Sequence, residues 1–222
     1  MPTLEDARSW YTSRDPVHGL DHVVRVYNLA ERLAKSEGSD IEIVRAGALL
    51  HVIGGGLNYG ISGELESPNV SENRLAHHII SAQFAGQVLE GEGWSGLRIQ
   101  AVQHCIRAHR FRGNSEIPAT IEAKVLFDAD KLDAIGAIGA ARAVAYAARA
   151  DQPVYAEPSE TFLTTGGKAA GEAHSAYHEN IFKLSKIKAR MYTVSGKAMA
   201  EERHRFMMSY FERLAAEARG EI

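Results

Sequence analysis

Residues 46–54 read Ala-Gly-Ala-Leu-Leu-His-Val-Ile-Gly, the end of an almost wholly apolar helix that carries a single histidine, His51, toward the core. A helix that is apolar all round belongs at the centre of its fold. An imidazole buried there needs a hydrogen-bond or metal partner. Gly54, Gly55 and Gly56 stop the helix and put His51 in its last turn. Other segments offer partners: His18, Asp21 and His22 before it, His77, His78, His104 and His109 after it, and Asp128, Asp130 and Asp133 further on. The expectation is that the helices carrying these segments fold together around a metal ion.

The rest of the chain reads at helical rather than strand period, so the fold class is all-α. Helices are predicted over 3–12, 20–36, 41–53, 71–90, 97–110 and 119–135, and residues 136–150 are rich in alanine and glycine, small residues that permit close helix approach. In the second, His22, Val26, Leu29 and Leu33 form one inward stripe. In the fourth, Leu75, His78, Ala82, Ala85 and Leu89 form one stripe and His77, Ile80, Phe84 and Val88 its neighbour. Period alone does not choose between them. Val102, Cys105, Ile106 and His109 share a face of the fifth, with His104 on the adjoining one. In the sixth, Val125, Leu126, Ala129 and Leu132 point inward, and Asp130 is costly to bury unless paired or bound to a cation. Residues 54–68 have the composition of a surface loop beside the proposed site, where lids are often found.

After residue 150 the composition shifts. Residues 151–171 read as an irregular excursion, followed by helices over 178–191 and 195–219. Residues 1–150 are therefore expected to form a helical metal-binding domain, and 151–222 a helical appendage packed on it. Lys183, Lys186 and Lys188 can either face the site or form a solvated helix face, and the second reading is favoured.

With 222 residues and 45% of them hydrophobic, the chain can bury a sizeable core. A formal charge of −3 offers no basic field to nucleic acid or to an anionic membrane. The lone cysteine, Cys105, cannot form an internal disulfide and reads as a small buried hydrophobe. With no signal peptide or membrane-length apolar run, a cytoplasmic protein is expected. Nothing in the sequence sets the oligomeric state.

Imidazoles and a carboxylate brought together from separate helices suit a divalent transition metal such as Mn, Fe, Ni, Zn or Co, with Mg also open. Such an ion lowers the pKa of bound water and polarises a phosphoryl oxygen, as phosphate ester or anhydride hydrolysis requires. Arg25 and Lys131 are the cations nearest in sequence to the proposed ligands and are candidates to bind phosphate. Asp133 can orient a ligand histidine or the attacking water, or balance a charge elsewhere. Asp21 and Asp128 fall on stripes that point away from the proposed centre. His18, one turn before His22, is a candidate for supporting a ligand.

The segments His18-Gly-Leu-Asp-His22, Ala48-Leu-Leu-His51, His104-Cys-Ile-Arg-Ala-His109 and Asp128-Ala-Asp130-Lys-Leu-Asp133 resemble the HD-domain superfamily of metal-dependent phosphohydrolases, and in particular a bacterial subgroup of about this length. The segment from Glu201 to Met207 is similar to the same subgroup. The resemblance implies His22, His51, the residue after His51, and Asp130 as metal ligands. The family has aspartate after His51; this chain has Val52, which carries no lone pair. Three outcomes are open: weak binding through His22, His51 and Asp130; a further ligand from His77, His78, His104 or His109; or an empty site. The resemblance implies hydrolysis of a small phosphorylated compound, with a nucleotide the first candidate. An impaired relative that binds a nucleotide or a partner without turnover is the alternative. A di-iron oxygenase is a third, since a few relatives look to have taken that route; in some relatives with two metals, histidines placed like His77 and His109 serve the second ion, an arrangement that usually uses as a bridge the aspartate this chain lacks.

Overall fold

The computed structural model describes residues 1–11, 19–53, 70–110 and 116–222, with the side chains of 70–77 outside that description. Among the described residues every regular element is a helix: α1 (Leu4–Trp10), α2 (Leu20–Glu37), α3 (Ile41–Leu50), α4 (Val70–Gly91), α5 (Gly96–Ala108), α6 (Ile121–Asp133), α7 (Gly136–Arg149), α8 (Glu160–Thr165), α9 (Ala176–Phe182) and α10 (Val194–Ala218). The all-α class expected from the periodicity is the one found. His18 and the loop expected over 54–68 lie outside the described residues. The chain divides into two compact units, Met1–Asp130 with Tyr192–Ser195, and Lys131–Met191 with Gly196–Ile222.

In the first unit α3 is the central element and packs against α2, α4 and α5. Asp40 starts it by accepting from the Glu42 and Ile43 N–H groups at 3.0 and 3.2 Å, satisfying two donors that a helix start leaves open. The same carboxylate holds Arg98 of α5 at 2.9 Å. Gly47 lets α6 approach: a Cβ there would stand 3.1 Å from Cδ2 of Leu126. Along α2 the buried residues are His22, Val23, Val26, Leu29, Ala30, Leu33 and Ala34, so His22 continues the apolar stripe as its spacing implies. Each fully buried aliphatic side chain of this kind stabilises the fold by roughly 1.5–3 kcal/mol. On α4 it is His78, Ala82, Ala85 and Leu89 that are buried, which settles the two-stripe ambiguity for the described part of that helix.

Two helices end earlier than their apolar pattern suggests. α3 stops at Leu50 and α5 at Ala108, with His51 and His109 as their C-caps. In both, the ring Nδ1 bonds the carbonyl three residues back, Ala48 O at 2.8 Å and Ile106 O respectively. A histidine side chain that takes a last-turn carbonyl competes with the backbone N–H that would have extended the helix.

The short stretch Tyr192–Ser195 belongs to the first unit because two carboxylates hold it. Asp128 accepts from Tyr192 N–H at 2.9 Å, Thr193 N–H at 2.7 Å and the Thr193 hydroxyl at 2.7 Å. Glu37 accepts from the Ser195 hydroxyl and N–H at 2.6 and 2.7 Å, and those bonds hold its pKa below the usual carboxylate value. Burial pushes Asp128 the other way, above its usual value.

In the second unit α7 packs a face of small residues, Gly136, Gly139, Ala140, Ala143 and Ala147, and contacts α9. Gly136 has φ +78°, and a Cβ there would stand 3.1 Å from Cβ and Cγ of Arg203. Arg203 in turn donates to Leu132 O at 2.6 Å, closing the C-terminal end of α6 with a cation. The stretch expected to be irregular contains a six-residue helix, α8, capped by Ser159. Glu172 clamps that region by accepting from Ser159 N–H at 2.8 Å, its hydroxyl at 2.7 Å and Ala169 N–H at 2.6 Å, with His178 Nε2 at 3.0 Å. These bonds, Ser159's foremost, bring the Glu172 pKa down to about 2.

The single helix expected over 178–191 is broken instead. α9 ends at Phe182 and two 3-10 turns follow, Leu184–Lys186 and Lys188–Arg190. The buried residues there are Leu184, Ile187 and Met191, and a three-residue step between the first two suits 3-10 better than α geometry. The three lysines are engaged within this unit: Lys183 with Glu179 at 2.8 Å, Lys188 with Glu201 at 2.9 Å, and Lys186 over the Phe182 ring at 5.0 Å.

Candidate metal centre

His22 stands in the first turn of α2, His51 caps α3, and Asp130 lies in the last turn of α6. Their donor atoms all lie within 4.8 Å of one another. Asp130 Oδ1 is 3.5 Å from His22 Nε2 and 3.8 Å from His51 Nε2. The two imidazoles are closed to solvent, and Asp130 keeps 14% side-chain exposure. Among the described residues no other group of three such donors is found.

The His51 ring shows what the arrangement can hold. Ala48 O can only accept, so Nδ1 carries the proton, and in the neutral ring the lone pair sits on Nε2. That Nε2 is buried and makes no hydrogen bond. It faces a carboxylate oxygen at 3.8 Å, too far for a shared proton, so two acceptors look into one space. A cation there would give the His51 Nε2 lone pair its partner. The donor set therefore fits a divalent transition metal ion, for which two imidazoles and a carboxylate are suitable ligands.

The remaining candidates are distributed as follows. His109 is buried, and its ring lies edge-on to His51 with centroids 5.2 Å apart. His104 is taken up elsewhere: its Nδ1 bonds Glu116 and its Nε2 accepts from Ala119 N–H at 3.1 Å, which pins residues 116–119 to α5. Arg107 reinforces this pin from Nε to Glu116 at 2.6 Å and, ahead of His104, lowers the Glu116 pKa. His78 is buried on α4, and the His77 side chain lies outside the described residues. Arg25 is bound by Asp21, one turn before it, at 2.7 Å. Lys131 is buried. Asp133 is buried and pairs with Arg142 at 2.7 Å, within the second unit. Val52 follows His51 in the turn that closes α3.

Two supporting residues escape a reading of the sequence. The Tyr11 hydroxyl donates to Leu49 O at 2.8 Å, two residues before His51, and burial pushes its pKa far up. Asp128 is buried two residues before Asp130, on the opposite side of α6, and holds residues 192 and 193. An acidic residue in a segment with three aspartates signals Asp128, but no local pattern points to its partners.

The model of the HD domain family matches residues 19–135, a span that contains His22, His51 and Asp130. The chain belongs to that family. It is 30% identical over 227 residues to an uncharacterised protein of Bacillus subtilis, YpgQ, an alignment covering 99% of this chain and 96% of that one. The crystal structure of YpgQ in complex with ADP superposes with a TM-score of 0.68 at 28% identity, covering 97% of each chain. A predicted HD superfamily hydrolase from an uncultured Thermotogales bacterium superposes with a TM-score of 0.61 at 25% identity, covering 96% of this chain and 90% of that one. Among the described residues no helix is long and apolar enough to cross a membrane.

Proposed function

We propose that the protein is a metal-dependent phosphohydrolase acting on a small phosphorylated compound, a nucleotide, at the centre formed by His22, His51 and Asp130. The observation that carries this reading is the buried His51 Nε2, without a hydrogen bond and facing the Asp130 carboxylate. A divalent ion held there would lower the pKa of a water molecule and polarise a phosphoryl oxygen. ADP in the YpgQ crystal structure supports a nucleotide as the substrate class.

The side chains around the centre have separable tasks in this reading. The bond from His51 Nδ1 to Ala48 O fixes the ring and keeps its other nitrogen an acceptor. His109, held the same way by Ile106 O, presents Nε2 as a group able to take up a proton and pass it on. Arg25 and Lys131 supply positive charge for a phosphate, with Arg25 oriented by Asp21. A protein that binds nucleotide without turnover is the second reading, favoured by Val52, which follows His51 where the resemblance implies an aspartate ligand.

Metal titration beside a hydrolysis assay over nucleoside mono-, di- and triphosphates tests the proposal. The native protein is expected to bind about one metal ion per chain and to release phosphate or pyrophosphate. His51→Ala is expected to weaken metal binding by at least the roughly 10- to 100-fold that even outer partners of a ligand contribute. Unchanged metal affinity in His51→Ala would refute the placement of the centre. Metal-free protein that binds ADP and leaves it intact would favour the second reading.

A further inference from the structure

We infer that Tyr11 is a positioning residue for the metal centre: its hydroxyl pins the turn that carries His51, so the end of α1 sets how firmly the centre holds an ion. The inference rests on the reading of His51 as a ligand and adds what keeps that ligand in place.

His51 stands where α3 stops, and a helix end is less constrained than a helix interior. In a continuing helix Ala48 O would receive the Val52 N–H and Leu49 O the Ile53 N–H. A side chain stands at each of these carbonyls. His51 Nδ1 bonds Ala48 O at 2.8 Å, and the Tyr11 hydroxyl donates to Leu49 O at 2.8 Å. The Val52 N–H bears on the same phenol oxygen as a hydrogen-bond donor. One hydroxyl therefore holds the backbone on both sides of His51, at Leu49 before it and at Val52 after it. With the backbone fixed, the bond to Ala48 O aims the ring, and Nε2 faces Asp130 Oδ1 at 3.8 Å.

The anchor is itself held. Tyr11 caps α1, its N–H bonded to Ala7 O at 3.0 Å, and Thr3 and Asp6 close the other end of that helix with a reciprocal pair of bonds. Ala7 is fully buried, and the Trp10 ring meets Phe84 of α4 edge-on with centroids 5.8 Å apart. Burial pushes the Tyr11 pKa far up, so the phenol remains a donor. A phenylalanine would fill the same space; what tyrosine adds is the bond to α3.

Tyr11→Phe removes that bond and keeps the ring. The full-length native chain and the variant, freed of metal and isotope-labelled in histidine, would be compared by zinc titration and by the nitrogen shifts of the His51 ring. Glu172→Gln, altered in the other unit, serves as the control, and urea denaturation checks that each protein is folded under the conditions used. Tyr11→Phe is expected to bind zinc about tenfold more weakly, the lower end of what outer partners of a ligand contribute. Its metal-free His51 nitrogens should move from the values of a ring protonated on Nδ1 toward those of mixed tautomers. Glu172→Gln is expected to keep the native affinity and shifts, because a role confined to stability moves neither. Binding is reciprocal, so zinc should also slow amide exchange at Val52 in the native chain by about the same tenfold, relative to the amides of α8.

Native zinc affinity or native His51 shifts in Tyr11→Phe would overturn the positioning role and leave the ligand reading standing. So would an equal loss of affinity in Glu172→Gln. Should Tyr11→Phe not fold, the native chain decides, and Val52 exchange unaltered by zinc overturns the inference. A native chain that binds no zinc, or binds it without moving the His51 nitrogens, would refute the ligand reading and the inference with it.

Discussion

Replacing Asp128 by alanine removes one acceptor from three donors: the N–H groups of Tyr192 and Thr193 and the Thr193 hydroxyl. The three are not equivalent. Tyr192 is 37% exposed, so water can take over its N–H. Thr193 is buried, and its N–H and hydroxyl would lose the Asp128 carboxylate as acceptor. Each such group costs about 1–3 kcal/mol. Against this, the variant no longer buries a carboxylate, and the raised pKa of Asp128 shows that burial works against its charge. The balance is a loss of about 2–4 kcal/mol, large for one substitution but of the kind expected when a buried hydrogen-bonded network is broken. Urea denaturation followed by far-UV circular dichroism would read the loss as a lower midpoint at unchanged slope. Amide exchange at Thr193 should quicken in parallel, since its N–H loses its acceptor. A loss under about 1 kcal/mol at unchanged slope, with Thr193 exchange unaltered, would refute the reasoning that Asp128 is what holds this stretch.

Further outcomes follow from the second unit. Gly136→Ala is expected to cost about 1–3 kcal/mol, because alanine is strained at φ +78° and its Cβ would crowd Arg203. In an Arg203→Ala background, which removes the Cγ contact and keeps the Cβ one, part of that cost should be relieved, and a double-mutant cycle showing no coupling would sink the assigned contact. Glu172 has its pKa depressed from 4.5 to about 2, so the stability it contributes is present above 4.5 and is lost as pH falls through about 2. The acid limb of the stability curve should therefore flatten between those values in Glu172→Gln. Identical limbs in the two proteins, measured by urea midpoints across that range, would count against the clamp at Ser159 and Ala169.

What could be read in advance was local in origin. The inward His22 on α2, the apolar α3 and the apolar face of α6 follow from side-chain direction repeating every 3.6 residues, which needs no knowledge of distant neighbours. The convergence of His22, His51 and Asp130 was suggested by residue types and by the family resemblance, while the distances between them came from the packing of three helices. The partners of the polar side chains were beyond any local pattern. His104 bonds Glu116 and Ala119, 12 and 15 residues on, Asp128 reaches residues 192 and 193, 64 and 65 residues on, and Arg203 closes α6 from α10. A buried polar group is stable wherever a complementary group meets it, and many positions along a chain could supply one. Only the folded backbone chooses among them. The same holds for the break after Phe182, where the burial of Leu184, Ile187 and Met191 overrides a run of residues that would propagate a helix on their own.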